Sequence, residues 1–247
     1  MPRPVVYNDP AMADPDFENR VVIVTGASSG IGLRAAERFR DEGARVVAFA
    51  RATEKLSELV ASAPDRVLAV AGSVASPDDV ERLFDETEKH FGPCEVLVNS
   101  AGAATIRTLN QLTVEEWDET FDVNVRGIFL TSRRALPGMF ERRSGTIINV
   151  ASISGIVGTS KFPGTVSYAA SKAAVIAFTE ALAAEVKGRG IRVNAVSPGS
   201  VDTPMLKRAN PMAKPDMTPD EVAEVILFLA SGRSRPVNGQ NIHVFSS

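Results

Sequence analysis

Thr25-Gly26-Ala27-Ser28-Ser29-Gly30-Ile31-Gly32 follows an apolar run, Val21 to Val24, and leads into an amphipathic stretch beginning near Ile31. The local order is therefore strand, turn, helix. Glycines at such a junction allow a tight turn, bring helix and strand close, and let backbone amides approach a pyrophosphate; the helix N-terminus adds partial positive charge for the anion. The spacing departs from G-x-G-x-x-G, because three residues separate the first two glycines. Gly26, Ser28, Ser29, Gly30, Ile31 and Gly32 are the candidate phosphate contacts.

Outward from this turn, short β-branched runs alternate with amphipathic stretches. Candidate strands are Val21 to Val24, Arg45 to Ala50, Val67 to Ala71, Val96 to Val98, Thr146 to Val150, Arg192 to Val196 and Asn241 to Val244. Most are apolar on both faces, as strands between two helix layers must be. The pattern predicts an α/β fold, one doubly wound Rossmann-type domain with a seven-stranded parallel sheet covered by helices on both faces. Helix ends are marked by Gly43, by Ser76-Pro77-Asp78-Asp79, and by Thr113-Val114-Glu115-Glu116, a capping box before Trp117. Residues 17–247 read as this single domain. Residues 1–16, with four prolines and neither a basic start nor an apolar stretch, read as a flexible N-terminal arm rather than a signal peptide.

The 247 residues are 44% hydrophobic and 23% charged, enough for a packed core without metal or disulfide staples. The 27 basic residues against 30 acidic ones, without a basic face, exclude nucleic acid as the main partner. The longest apolar runs fall far short of the roughly 20 residues that span a bilayer, so no membrane partner is expected. A single cysteine, Cys94, leaves no intramolecular disulfide and no cysteine metal site, and fits a reducing, cytoplasmic setting. His90 and His243 form no ligand set, and no metal is expected. Cys94 and Trp117 read as packing residues.

At the end of the second strand stands Phe49-Ala50-Arg51. A carboxylate at that distance from a glycine turn takes the ribose hydroxyl of NAD, whereas an arginine pairs with the phosphate of NADP. Arg51 therefore predicts NADP(H) over NAD(H). Later, Tyr168-Ala169-Ala170-Ser171-Lys172 opens the stretch Ser167 to Lys187, where an i, i+4 spacing puts phenol and ammonium on one helix face. An ammonium beside a phenol lowers its pKa and makes Tyr168 a proton donor or acceptor near neutral pH.

Taken together, these motifs resemble the short-chain dehydrogenase/reductase family, and its 3-oxoacyl-(acyl-carrier-protein) reductase-like ketoreductases in particular, over roughly Arg20 to Val244. Thr25 to Gly32 matches the family's T-G-x-x-x-G-x-G, Asn99-Ser100-Ala101-Gly102 its Asn-Asn-Ala-Gly, Tyr168 to Lys172 its Y-x-x-x-K, and Pro198 to Thr203 its P-G-x-V-x-T. The resemblance implies hydride exchange between a nicotinamide and a carbonyl or secondary alcohol. Tyr168 would exchange the proton, Ser152 would stabilise the substrate oxygen, Lys172 would bind the ribose, and Asn124 would hold a water. It further implies cofactor contacts from Ser73, Val74, Asn99, Ala101, Gly102, Pro198, Gly199, Val201 and Thr203. Ser154 stays open as the alternative to Ser152, because the gap to Tyr168 is longer than the family's.

Ser73 and Ser100 replace the family's Asp and second Asn, and the C-terminal Asn241 to Ser247 lacks its Asp-Gly-Gly. The lid segment Pro204 to Pro219 is short, with Met205, Met212 and Met217 as apolar wall candidates beside Ala103, Ala104, Ile153 and Phe162. They predict an apolar carbonyl, small or carried as an acyl thioester. Arg142, Arg143 and Arg189 are the candidate contacts for an acidic carrier protein or a coenzyme A phosphate. The resemblance implies a homotetramer. A cofactor-binding regulatory or structural subunit without turnover is the competing reading.

Overall fold

The apolar runs become seven strands, β1 (Val21–Thr25), β2 (Arg45–Ala50), β3 (Val67–Ala71), β4 (Val96–Asn99), β5 (Gly145–Val150), β6 (Ile191–Pro198) and β7 (Asn241–Val244). The computed structural model describes residues 16–52 and 54–245. The arm expected over residues 1–16 lies outside them, apart from Asp16. Asp16 accepts a hydrogen bond from the Gly232 amide at 3.3 Å, and the neighbouring Phe17 packs edge-on against Phe39. The strands pair in parallel in the order β3-β2-β1-β4-β5-β6-β7. Several run past the ends that polarity predicts. Thr25 and Asn99 still lie opposite each other in the ladder, because backbone pairing continues through a polar residue when the register holds.

Between the strands run α1 (Gly30–Asp41), α2 (Glu54–Ser62), α3 (Pro77–His90), α4 (Val114–Phe121), α5 (Gly127–Arg142), α6 (Val166–Glu185), α7 (Pro204–Ala209) and α8 (Pro219–Ala230). Their starts follow the sequence signals. The Ser76 hydroxyl accepts from the Asp79 amide at 3.2 Å, and Thr113 and Glu116 close a reciprocal capping box on α4. Asp122–Arg126 forms a π-helical turn between α4 and α5, which hydrophobic periodicity does not signal.

Alternating strand residues feed two cores, one on each face of the sheet. Val22, Val24, Val46 and Val98 pack with Phe39 of α1 and with Ile226 and Leu229 of α8. Ile23, Val47, Leu97 and Ile147 pack on the other face with Leu83 and Phe84 of α3 and Met139 of α5. This double coverage is why these strands read as continuous apolar runs rather than alternating ones. Ion pairs then join the layers at the surface: Arg34 and Arg38 of α1 reach Asp220 and Glu224 of α8, and Arg134 of α5 meets Glu81, Asp85 and Glu88 of α3.

The order reverses at β1, since β2 and β3 wind to one side and β4 to β7 to the other. A crevice therefore opens at the carboxyl ends of β1 and β4, where their onward connections leave for opposite faces. Leu97 lies fully buried at this centre. Leu97→Ala is expected to lower unfolding free energy by about 2–5 kcal/mol, measured as a reduced urea midpoint with an unchanged slope.

Candidate active site

At the carboxyl ends of the central strands the crevice widens into a cleft of about 640 Å³. One wall is the glycine turn. Gly26 sits at φ +69°, and a Cβ there would lie 2.7 Å from the Ala101 Cα, closer than any side chain is tolerated. At Gly32 a Cβ would lie 2.4 Å from the Gly26 carbonyl oxygen. The turn is thus pressed against both its own helix and the segment after β4. Thr25 ties the two together: its Oγ1 accepts from the amides of Ser100 and Ala101, each at 3.1 Å. The motif alone does not mark this role of Thr25; the signal for it in the sequence is a hydroxyl at a strand end, with a second glycine-containing turn at Ala101-Gly102.

The first turn of α1 faces the cleft with its amides open. Ser29 caps it without a side-chain hydrogen bond and no acidic residue follows, whereas α3, α4, α7 and α8 each begin with a serine or threonine hydroxyl accepting from an amide. Free amides plus the helix dipole fit a phosphate. Ser28, Ser29, Gly30 and Ile31 line this part, and Arg51 lines the cleft at the end of β2, exposed and without an ion pair among the described residues. These residues fit a dinucleotide: Gly26, Gly30 and Gly32 would cradle its pyrophosphate, and Ser73 and Val74 would flank its adenine. The Ser73 amide is held by the Asp79 carboxylate at 2.9 Å, a bond that keeps the Asp79 carboxyl below its usual pKa, and the Ser73 hydroxyl accepts from the Ala75 amide. At the opposite end Pro198, Gly199, Val201 and Thr203 line the cleft.

Deeper in, four predicted side chains converge. Ser152 follows β5 and turns its hydroxyl back to accept from the Ser154 amide at 3.1 Å. Tyr168 lines the same part of the cleft; the neighbouring Ser152 hydroxyl acts to lower the phenol pKa, but burial is the larger effect and the phenol ends above its ordinary value. Ser154 lines the cleft as well. Lys172 is 4% exposed; burial drops its ammonium to about 8, and it donates to the Val150 carbonyl at 2.7 Å. It lies 5.8 Å from the centre of the Tyr168 ring. The sequence expectation that Lys172 lowers the phenol pKa is therefore corrected for this geometry, because the ammonium is committed to a backbone carbonyl and burial controls the phenol.

The π-helical turn carries Asn124 inward. Its Oδ1 accepts from the Ala103 amide at 2.7 Å, and its Nδ2 donates to the Ala103 carbonyl and the Ser171 hydroxyl, each at 2.9 Å. A Cβ on Gly102 would lie 3.5 Å from Asn124 Oδ1 and 3.8 Å from Lys172 Nζ, so both groups border one small space behind the cleft floor.

Not every predicted contact faces the cleft. Asn99 turns instead into a buried polar network, donating to Asn149 at 2.9 Å and accepting from Thr131 at 2.7 Å. Ala103 borders an adjoining second cleft. Of the three methionines only Met205 lines the main cleft; Met217 is buried beside Val201, and Met212 points into solvent. Ala104, Ile153 and Phe162 do line it, joined by Ile106, Leu206 and Arg208, which the sequence reading did not single out. Arg142 donates to the Cys94 carbonyl at 2.6 Å and Arg189 lies over the Phe140 ring, so neither is idle at the surface. Burial pushes the Cys94 thiol up to about 12, which makes it unreactive. Trp117 stacks on Phe121.

Residues 20–214 match the family described as short chain dehydrogenase. The 3-oxoacyl-(acyl-carrier-protein) reductase of Thermotoga maritima is 39% identical over 241 residues, covering 92% of this chain and 97% of the relative. Among solved structures, levodione reductase superposes with a TM-score of 0.84 at 30% identity, covering 92% of this chain and 96% of its own. A chain from Brucella melitensis described as ribose-5-phosphate isomerase superposes with a TM-score of 0.85 at 32% identity, covering 94% and 93%. Names this different on one fold leave the reaction to be argued from the cleft.

A depressed lysine pKa has a stability signature with a definite sign. The unfolded chain holds the Lys172 proton up to about 10.5 and the folded chain only to about 8, so stability rises with pH through that window. Lys172→Met is expected to remove this rise, and the difference between variant and parent in urea titrations at pH 7.5 and 10 measures it.

Proposed function

The chain belongs to the short-chain dehydrogenase family, and on that premise we propose that it is an NADP(H)-dependent ketoreductase, exchanging hydride with an apolar carbonyl or the corresponding secondary alcohol. The observation that carries this reading is that Ser152, Tyr168 and Lys172 line the one cleft that also holds the open N-terminus of α1. The nicotinamide, when bound, supplies or accepts the hydride at its C4. Every other task falls to side chains of this chain.

In the reduction direction Tyr168 gives its proton to the carbonyl oxygen as that oxygen gains charge. A phenol raised above its ordinary pKa stays protonated through the neutral range, which is the state that donates. The Ser152 hydroxyl donates to the same oxygen and stabilises its developing charge. Lys172, partly deprotonated near pH 8, holds the ribose hydroxyls and passes a proton inward, with Asn124 placing a water behind it. Arg51, without an ion pair among the described residues, favours the phosphorylated cofactor.

Ile106, Ile153, Phe162, Met205 and Leu206 supply an apolar wall with no carboxylate among them, which supports a hydrophobic carbonyl substrate, small or presented as an acyl thioester. Arg143 and Arg189 remain candidates for a carrier's acidic surface. Among the described residues no helix is long and apolar enough to cross a membrane, and a single buried thiol supports a cytoplasmic setting. Exposed Phe129, Phe228 and Phe245 support burial in a homotetramer, which light scattering tests directly.

The experiment is reduction of a panel of diketones, cyclic ketones, aldehydes and 3-oxoacyl thioesters with NADPH and NADH, read as loss of reduced-nicotinamide absorbance. Tyr168→Phe is expected to lower kcat by about a thousandfold with cofactor binding kept. Ser152→Ala is expected to lose far more turnover than Ser154→Ala, and the reverse order would move the oxyanion role to Ser154. Cofactor binding with no turnover in either direction would favour the regulatory subunit instead.

A further inference from the structure

The short lid helix α7 carries two cations with different fates. Lys207 is tied to Asp202 at 2.7 Å, away from the cleft. Arg208 has no ion pair or hydrogen bond among the described residues and lines the main cleft. It also lines a second cleft of about 410 Å³ that continues outward over the segment after Gly102. Among the described residues the only other cationic side chain to line both is Arg51, just past the end of β2. The two arginines thus come from different parts of the chain, one on α7 and one just past the end of β2, and both border the two clefts. Arg107, the remaining cation there, is paired with Glu116, and Glu119 supplies one carboxylate to the outer rim.

We propose that Arg208 is the second cation of a phosphomonoester site whose first cation is Arg51, so that the lid closes on the phosphate of the cofactor's adenosine ribose. The inference rests on the NADP(H) reading above and adds to it a role for the lid. Two guanidinium groups facing one mouth repel each other, which favours an open lid when nothing lies between them. A phosphate dianion between them reverses the sign, and each planar fork can donate two hydrogen bonds to its oxygens. Lid closure is then coupled to the phosphate that distinguishes NADPH from NADH, and the apolar wall formed by Met205 and Leu206 is set in place by the same movement.

The test is equilibrium titration of the full chain with NADPH and NADH, followed by nicotinamide fluorescence, and with 2′,5′-ADP and ADP by calorimetry. For Arg208→Ala the NADPH dissociation constant is expected to rise about tenfold, with NADH changing by less than about twofold, and 2′,5′-ADP is expected to lose affinity where ADP does not. Lys207→Ala removes the same charge from the same helix and is expected to leave the NADPH to NADH ratio unchanged. An equal loss for NADPH and NADH would place Arg208 over the pyrophosphate and overturn the proposal. So would a change confined to the KM of a coenzyme A thioester, or an equal effect of Lys207→Ala. If Arg51→Ala loses NADPH preference and Arg208→Ala does not, the lid inference fails while the cofactor reading stands. A parent protein with no preference for NADPH sinks both.

Discussion

The backbone contact between the turn after β1 and the segment after β4 sets the shape of everything that binds. Thr25 holds the amides of Ser100 and Ala101, and Gly26 leaves no room for a side chain against Ala101. That contact is possible only because β1 and β4 are neighbours in the sheet with onward connections to opposite faces. It fixes the glycine turn, opens the α1 amides toward the cleft, and places Gly102 over Asn124 and Lys172. A side chain at Gly26 would push apart segments that lie more than seventy residues apart in the chain.

Electrostatics in the catalytic half run opposite to the simplest expectation. A lysine four residues from a tyrosine suggests a depressed phenol pKa, yet burial raises the phenol and lowers the ammonium. Desolvation penalises whichever form is charged, so it moves an acid up and a base down together. The result is a neutral phenol beside a lysine able to shed its proton near pH 8. Such a pair is suited to relaying one proton inward.

The fold was largely legible because parallel strands buried on both faces announce themselves as apolar runs, and all seven runs became strands. The glycine turn and the placing of Tyr168 and Lys172 in one cleft were legible for a similar reason, since they follow from local spacing, whereas the direction of the phenol pKa follows from burial. What escaped depends on tertiary placement. Asn99 sits in a matching motif, but its side chain turns toward Asn149 and Thr131, a direction only the packing of β5 and α5 decides. The methionines of the lid looked equivalent in sequence, yet Val201 buries Met217 while Met212 meets water. Arg208 was unmarked because a lone arginine on a short helix gains meaning only beside Arg51.

The central claim is that this cleft moves a hydride between a nicotinamide and a carbonyl carbon. Reducing a cyclic ketone with NADPH deuterated at C4, one face at a time, and weighing the alcohol by mass spectrometry tests it most directly. The account predicts one deuterium on the carbinol carbon from one face only, with the label lost from the cofactor. Alcohol formed without label, or no alcohol despite bound NADPH, would contradict it.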